Sequence, residues 1–385
     1  MGSSNGILAT KVQHATNPLD ALRYVQAEHG VSAARQLWEI ARLGRGRSKL
    51  QPTEYYSSGL YRRSMSWQEK TCYLGEASNY SFNYALQPRD LSTHRPMMHD
   101  KIFAAFVLQA MGYPTSNTLA VYGIDKRYGA FAQIGSREGL IAALANPPES
   151  GLFGKPVFSF QGVGSVSIIE REASGDLRLF DEQRTSPEAL ADEIMQKFPD
   201  GYILQERIQM HSDLVAAMGG AVGSLRICTI HSESGPEVLY SVLRLPAKNT
   251  SIDCGYIAGS GVALIDTVSG EVLRTSRDTF PYGGSSQSSS DVSTQLVGKT
   301  LPTYDAAVEL VLSAHRAFPD HGILGWDVVL TPQGPLINEI NTNAGHPLWQ
   351  RAADRGFLNR DHVARLAPVG AFIAAKLAAK KSKKA

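Results

Sequence analysis

"LGWDVVLTPQGPLINEINTNAGHPLWQ", Leu324 to Gln350, sets acids and amides inside two apolar runs. Only 19% of the chain is charged, so polar groups at such positions need a reason. In the first run, period-two alternation places Asp327 and Val329 on one side of a strand. In the second it places Glu339, Asn341 and Asn343 on one face. The turn "TPQG" makes the strands neighbours, so Asp327, Glu339 and Asn341 can converge from adjacent strands. Carboxylates that close repel unless a cation sits between them, and hard oxygen donors in that number suit magnesium, which shares its remaining positions with water and phosphate. The alternative is an edge pair of strands with solvated acids on its open face, which the apolar flanks disfavour.

A phosphate-sharing metal needs a nucleotide pocket, and the chain offers parts for one. "HDKIFAAFVLQAMGYPTSNT" reads as a helix capped by Asp100 and stopped by Gly112 and Pro114. Ile102, Phe103, Phe106, Val107, Ala110 and Met111 form its apolar face. Lys101 falls in the first turn, where the macrodipole disfavours a cation; an anionic partner would explain it, and so would simple solvation. "GKPVFSFQGVGSVSIIERE" reads as strand, glycine turn, strand. Lys155 at its head can reach a phosphate as a compact charge. The tip Gly162–Ser165, including Gly164, offers backbone N–H groups for an anion nest, or is a plain hairpin turn. It is neither a Walker A loop nor a dinucleotide fingerprint. Arg226, inward on "SLRICTI", can neutralise a transferring phosphate or an anionic intermediate.

The remaining pattern is α+β. "SPEALADEIMQKFPDG" is a helix with Ser186 as cap and Pro187 at its first position, followed by the strand "YILQERI". "SLRICTIHSE", "VLYSVLRLPA" and "GVALIDTVSGEVLR" alternate as antiparallel strands, "GGSSQSSSDVS" reads as a surface loop, and "TYDAAVELVLSAHRAF" as an amphipathic helix. Residues 1–97 look helical and mixed; "TEYYSSGLYRRSMSWQEKTCYLG" there lines a substrate surface or packs against the next domain. The expected division is 1–97 as an N-terminal domain, 98–205 as a small lobe, 206–375 as a large lobe with the metal site, and 376–385 as a basic tail.

With 385 residues, a net charge of +2 and 43% hydrophobic content, the composition fits a soluble enzyme of two or three domains. No apolar run approaches the length of a membrane span, and the N-terminus lacks signal-peptide order, so a cytoplasmic protein without stable membrane insertion is expected. Three scattered cysteines without a CxxC support neither a disulfide framework nor a thiolate zinc site. The tail "AAKLAAKKSKKA" has no accompanying basic cluster, which argues against nucleic acid; a homodimer stays open. No repeat of solenoid length is apparent.

The order of Lys101, Lys155 with its glycine loop, "YILQERI", Asp327 and Glu339-Ile340-Asn341 resembles the ATP-grasp superfamily, which includes D-alanyl-D-alanine ligases. "SLRICT", "GWDVVLTPQGP" and "NEINTNAGHPLWQ" are similar in particular to its sugar-transfer-associated group. The resemblance covers roughly residues 98–351; before that only "YYSSGLYRR" matches loosely. It implies ATP sandwiched between two α+β lobes, with Lys101 and Lys155 on its phosphates and Gln205, Glu206, Arg207 and Ile208 at a hinge against adenine. It further implies Asp213 at the ribose hydroxyls, and Asp327, Glu339 and Asn341 as ligands of magnesium, as two ions. Ala344 stands where many relatives carry proline, and "QGVGS" has fewer small residues than the usual loop.

That resemblance implies an ATP-dependent ligase that activates a carboxylate as an acylphosphate and joins it to an amine, both substrates being small molecules. Arg226 and Lys155 would stabilise developing charge, and His346 would contact the acceptor, act as a base, or be an uninvolved loop histidine. A phosphotransferase acting on a hydroxyl or sugar would need the same groups, and a nucleotide-binding module without turnover is a third reading. The acceptor pocket is expected between the N-terminal domain and the Tyr256–Gly261 region.

Overall fold

The computed structural model describes residues 6–9, 17–93, 95–123, 131–159, 162–247, 250, 260–277 and 295–382. The glycine-serine loop "GGSSQSSSDVS" and all but the end of the Tyr256–Gly261 region lie outside these residues. Two sheets organise the rest. The first contains β1 (Thr118–Tyr122), β2 (Ala132–Ile134), β3 (Leu152–Pro156), β4 (Val166–Arg171), β5 (Leu177–Leu179), β6 (Arg184–Thr185) and β7 (Tyr202–Glu206). Its strand order is β2-β1-β7-β3-β4-β5-β6, with β1 and β2 parallel and the remaining pairs antiparallel. The second contains β8 (Leu225–Ser232), β9 (Gly235–Leu245), β10 (Gly261–Ile265), β11 (Val272–Arg277), β12 (Ile323–Thr331) and β13 (Gly334–Asn341), in the order β11-β10-β9-β8-β12-β13.

Alternation along the strands decides what faces what. On β3, Leu152, Gly154 and Pro156 are buried, whereas Phe153 and Lys155 point to the other side. The buried side meets the helices Arg137–Leu144 and Pro187–Lys197, whose Leu140, Leu144, Leu190, Ala191 and Ile194 close one core. On β12, Leu324, Trp326, Val328 and Leu330 pack with Ala307, Val311 and Ala314 of the helix Tyr304–Arg316. β12 is buried along its whole length because it lies between β8 and β13, with helices on the sheet faces. Asp327 projects to the opposite side from Trp326, as the alternation requires. The helix Arg360–Ser382 has the length and apolar composition of a membrane span, but its Leu366, Val369 and Ile373 are buried, Leu366 and Val369 in a core cluster that also contains Ile230 and Ile323.

The helix Lys101–Ala110 lies between the sheets. Asp100 caps it, its carboxylate accepting from the N–H groups of Ile102 and Phe103 at 3.0 and 3.1 Å. Ile102 joins Val121, Val157 and Ile203 of the first sheet region, while Leu108 belongs to the core of the second. Because the helix is gripped on two sides, Ile102, Ala104 and Leu108 are its buried residues. Phe103, Phe106 and Met111, expected on the packed face, are instead exposed.

The chain runs through the junction of the two sheets at two adjoining places, once from the helix Lys101–Ala110 into β1 and once from β7 towards β8. At the first crossing the Ile337 N–H donates to the Pro114 carbonyl at 2.9 Å, and Ser116 Oγ donates to Asn338 Oδ1 at 2.8 Å. At the second, the Glu206 N–H donates to the Asn117 carbonyl at 2.9 Å, tying the crossings together.

Residues 17–93 contribute helices around a core of Tyr55, Tyr56, Tyr61, Tyr73, Leu43 and Leu60. The tyrosines of "YYSSGLYRR" therefore pack within this unit and do not line a substrate surface. Glu39 is buried there between Lys70 Nζ (2.8 Å) and the Tyr55 hydroxyl (2.7 Å). The unit is joined to the second sheet's helices by a bidentate Arg62–Asp354 pair and by Gln350, whose side chain brackets the Leu74 backbone at 2.7 and 2.9 Å.

Candidate functional site

Between the two sheets is a cleft of about 550 Å³. One wall carries Phe153, Lys155, Ser167 and Gln205 from β3, β4 and β7; the other carries Arg226, Arg244, Asp327, Glu339 and Asn341 from β8, β9, β12 and β13. Register brings the second set together. Arg226 is paired with Asp327 across β8 and β12, and Asp327 with Glu339 across β12 and β13. Cross-strand partners on one face stand within contact distance of each other.

Asp327 is committed to arginine. Its carboxylate accepts from Arg226 Nε at 2.5 Å and Nη2 at 3.0 Å, and Arg244 Nη1 lies 3.5 Å away. Burial opposes its charge, but the two guanidinium groups, together with hydrogen bonds from Arg226 and Asn341, hold it well below the usual carboxylate range. Burial likewise opposes the charge of Arg226, and Asp327 more than restores it. The fork of Arg226 thus faces Asp327, leaving Nη1 directed along the cleft wall beside Gly345, where an added Cβ would lie 3.2 Å from it.

Glu339 is half-buried in the cleft, and its carboxylate makes no hydrogen bond or ion pair among the described residues. Its electrostatic counterparts are the ammonium groups of Lys101 and Lys155. Lys101 Nζ donates to the Ser159 carbonyl at 2.6 Å. Burial lowers the pKa of Lys101 and brings that of Lys155 down to about 8; for Lys155, Glu339 opposes the shift and Lys101 adds to it. Two desolvated ammonium groups facing one carboxylate leave an excess of positive charge on this side of the cleft, which an anionic ligand would offset.

The residues fit magnesium by their donor chemistry. Glu339 is unpartnered, Asn341 Nδ2 donates to Asp327 at 3.2 Å so that its Oδ1 is free to bind, and Asp327 keeps lone pairs beyond those used by Arg226. Among the described residues no three His, Cys, Asp or Glu side chains converge as a complete metal cage. Two carboxylates and a carboxamide suit a cation that takes its remaining ligands from phosphate and water.

At the hinge end, Gln205, Glu206, Arg207 and Ile208 all line the cleft. The Glu206 carboxylate is held by Ser150 Oγ at 2.6 Å and Asn117 Nδ2 at 3.0 Å. The Arg207 N–H is taken by the Gly151 carbonyl at 3.0 Å, whereas the Ile208 N–H has no partner among the described residues.

Several expected site residues are placed elsewhere. His346 is fully buried, stacked on Phe357 at 3.7 Å, with Nε2 3.0 Å from Asn83 Oδ1 and Nδ1 3.0 Å from the Tyr240 hydroxyl. Burial, with His362 and Arg226 adding to it, pushes its pKa well below the usual value; with both nitrogens engaged, it has no access to a substrate proton. Asp213, in the turn Ser212–Val215, is 71% exposed and outside the cleft. At the glycine tip, Gly162 and Ser165 line the cleft but Gly164 does not. Its φ of +81° and an added Cβ only 2.3 Å from Phe198 make it a packing glycine. Two of the tip's four N–H groups are also spent: that of Gly164 donates to the Ala9 carbonyl at 2.7 Å and that of Ser165 to the Gly162 carbonyl at 3.1 Å, so an anion nest there is incomplete. Ala9 belongs to a short strap. Its own N–H donates to the Ser165 carbonyl at 3.1 Å, Leu8 is buried in the small-lobe core, and the Ile7 and Leu8 N–H groups meet the Glu193 carboxylate at 2.8 and 3.1 Å.

Sequence reasoning missed Arg244, His99, Glu76 and Tyr80, all of which line the cleft. Arg244 carried a signal, since it lies on an antiparallel strand next to that of Arg226. His99, whose Nε2 lies 3.1 Å from Thr342 Oγ1, and the pair from the helix Glu76–Ala85 carried none, because their approach depends on how the N-terminal unit docks.

The family described as sugar-transfer associated ATP-grasp matches residues 81–365. A comparison with curated proteins gives no match. Among solved structures, D-alanine-D-alanine ligase from Coxiella burnetii is similar at 14% identity and a TM-score of 0.38, over 74% of this chain and 60% of that one. D-alanyl-alanine synthetase A from Vibrio cholerae is similar at 12% identity and 0.40, over 74% and 66%. L-amino acid ligase from Bacillus licheniformis is similar at 12% identity and 0.35, over 67% and 42%. The chain thus spans 60% of the length of the first of these.

Proposed function

The chain belongs to the sugar-transfer-associated ATP-grasp family, and from that premise we propose that it is an ATP-dependent ligase that activates a carboxylate and joins it to an amine. The observation that supports this reading is the unpartnered Glu339 carboxylate, in register with Asp327 and facing Lys101 and Lys155 across the cleft. Such a site takes a polyphosphate together with its cation.

In this reading the hinge holds the adenine, with the Ile208 N–H free to donate to it. Lys101 and Lys155 bind the phosphates, and their partial desolvation strengthens that attraction. Magnesium, held by Glu339, Asp327 and Asn341, would supply charge neutralisation across the phosphates. A carboxylate oxygen attacks the γ-phosphorus, the bond to the bridging oxygen breaks and ADP leaves. The amine nitrogen then attacks the acyl carbon, the C–O bond breaks, and phosphate departs with the amine's proton. The chain's part is positioning and charge stabilisation. Asp327 fixes Arg226, so that Nη1 offers a rigid donor along the path of the acyl group.

The test is a thermal-shift titration with a nonhydrolysable ATP analogue, with and without magnesium, on wild type and Glu339→Ala. Stabilisation that requires magnesium and is lost in the variant is expected, since Glu339 adds a ligand and no core volume. Equal stabilisation in both proteins would sink the assignment. Phosphate release that depends on both an acid and an amine identifies the ligase; a stable phosphorylated product would identify a phosphotransferase instead.

A further inference from the structure

The buried His346 and two asparagines of the N-terminal unit form one network ending at the cleft. Asn343 Oδ1 accepts from Asn79 Nδ2 and Asn83 Nδ2, each at 2.7 Å. The backbone N–H of His346 donates to Asn79 Oδ1 at 3.0 Å. A backbone N–H can only donate, so Asn79 must present Oδ1 to it and turn Nδ2 toward Asn343. Asn83 presents Oδ1 to His346 Nε2 at 3.0 Å and Nδ2 to Asn343. A carboxamide oxygen has two lone pairs, and both of those on Asn343 are used.

Asn343 lines the cleft half-buried, and its Nδ2 has no hydrogen bond among the described residues. Its backbone carbonyl accepts from the Gly345 N–H at 2.8 Å, and Gly345 is the residue beside Arg226 Nη1. A group that meets the Asn343 side-chain N–H and Arg226 Nη1 here therefore meets donors and must offer them an acceptor. An amine or ammonium would find no free lone pair on the Asn343 side-chain oxygen.

We infer that Asn343 donates its carboxamide N–H to a carboxylate oxygen of the acid substrate, and that Asn79 and Asn83 are positioning residues that hold it in the donating orientation. The inference rests on the acid-activating reading above. The same donor would suit a phosphate oxygen of the nucleotide, so the two sources are separated in the test. The network also gives the N-terminal unit a part in the site, since Asn79 and Asn83 lie on its helix Glu76–Ala85.

The probe is sodium acetate, followed by NMR of the Asn343 side-chain amide in deuterated, ¹⁵N-labelled protein. The resonance pair is identified by its loss in Asn343→Asp, which keeps an oxygen for Asn79 and Asn83 but cannot donate. A saturable displacement by acetate and not by equal sodium chloride is expected, both with and without the nonhydrolysable ATP analogue. Asn79→Asp with Asn83→Asp keeps the oxygens facing His346 but removes both donors to Asn343. Acetate affinity should then fall about tenfold, the effect of losing one charge-assisted hydrogen bond. No displacement by acetate overturns the inference. A displacement by the nucleotide analogue alone also overturns it, making Asn343 a phosphate contact. The Ile208 backbone amide reports separately on the nucleotide: if it fails to respond to the analogue, the ATP-site reading fails, whatever acetate does.

Discussion

At the scale of the residue, Lys155 shows how this cleft uses burial. Burial desolvates its ammonium, Glu339 partly compensates, and the pKa comes down to about 8 from the 10.5 of an unperturbed lysine. The unfolded chain therefore binds more protons than the folded one between those values, and stability contributed by this group rises with pH across that window. Nucleotide binding has the opposite sign. A bound polyphosphate favours the charged form and raises the pKa, so binding takes up a proton and affinity falls as pH rises above about 8. Calorimetry of the ATP analogue in two buffers of different ionisation enthalpy should show this uptake, and Lys155→Arg should remove it, because guanidinium stays charged throughout. A wild-type affinity flat across that range would exclude Lys155 from the phosphates.

At the scale of the element, the strap Ile7–Ala9 shows what the sequence carried and what it did not. The hairpin of β3 and β4, the cap Ser186, and the register of β12 with β13 were legible, because alternation and turn chemistry are local. So was the meeting of Asp327 with Glu339. The strap was not, since pairing Ala9 with the glycine tip links residues far apart in sequence and follows no periodicity. The same holds for His346: the sequence marks a loop histidine, and only packing against Phe357 shows that it is enclosed. Arg226 was legible as an inward cation, but its engagement with Asp327 is a matter of register. Leu8, 2% exposed, anchors the strap, and Leu8→Ala should cost about 2 to 4 kcal/mol in the denaturant-unfolding free energy. Hydrogen exchange at the Gly164 amide should accelerate along with it. An unchanged exchange rate at Gly164 would mean the strap does not restrain the tip.

At the scale of the whole molecule, the helix Lys101–Ala110 works as a clutch between two bodies. Its large-lobe side, with Leu108, joins an extensive core; its small-lobe side holds through Ile102 against Val121, Val157 and Ile203. If the bodies separate, the smaller contact is expected to yield first, leaving the helix with the larger core. Re-exposing one isoleucine costs about 2 kcal/mol, so Ile102 by itself favours the engaged arrangement roughly thirtyfold. Ile102→Ala should weaken the grip, and spin labels at the exposed Glu188 and Glu233 should then report a broader distribution extending to longer distances. Identical distributions would show that the torque between the lobes is carried by the crossings alone. Lys101, which we propose meets the phosphates, is the neighbour of Ile102, so charge capture and mechanical engagement would share one turn of helix.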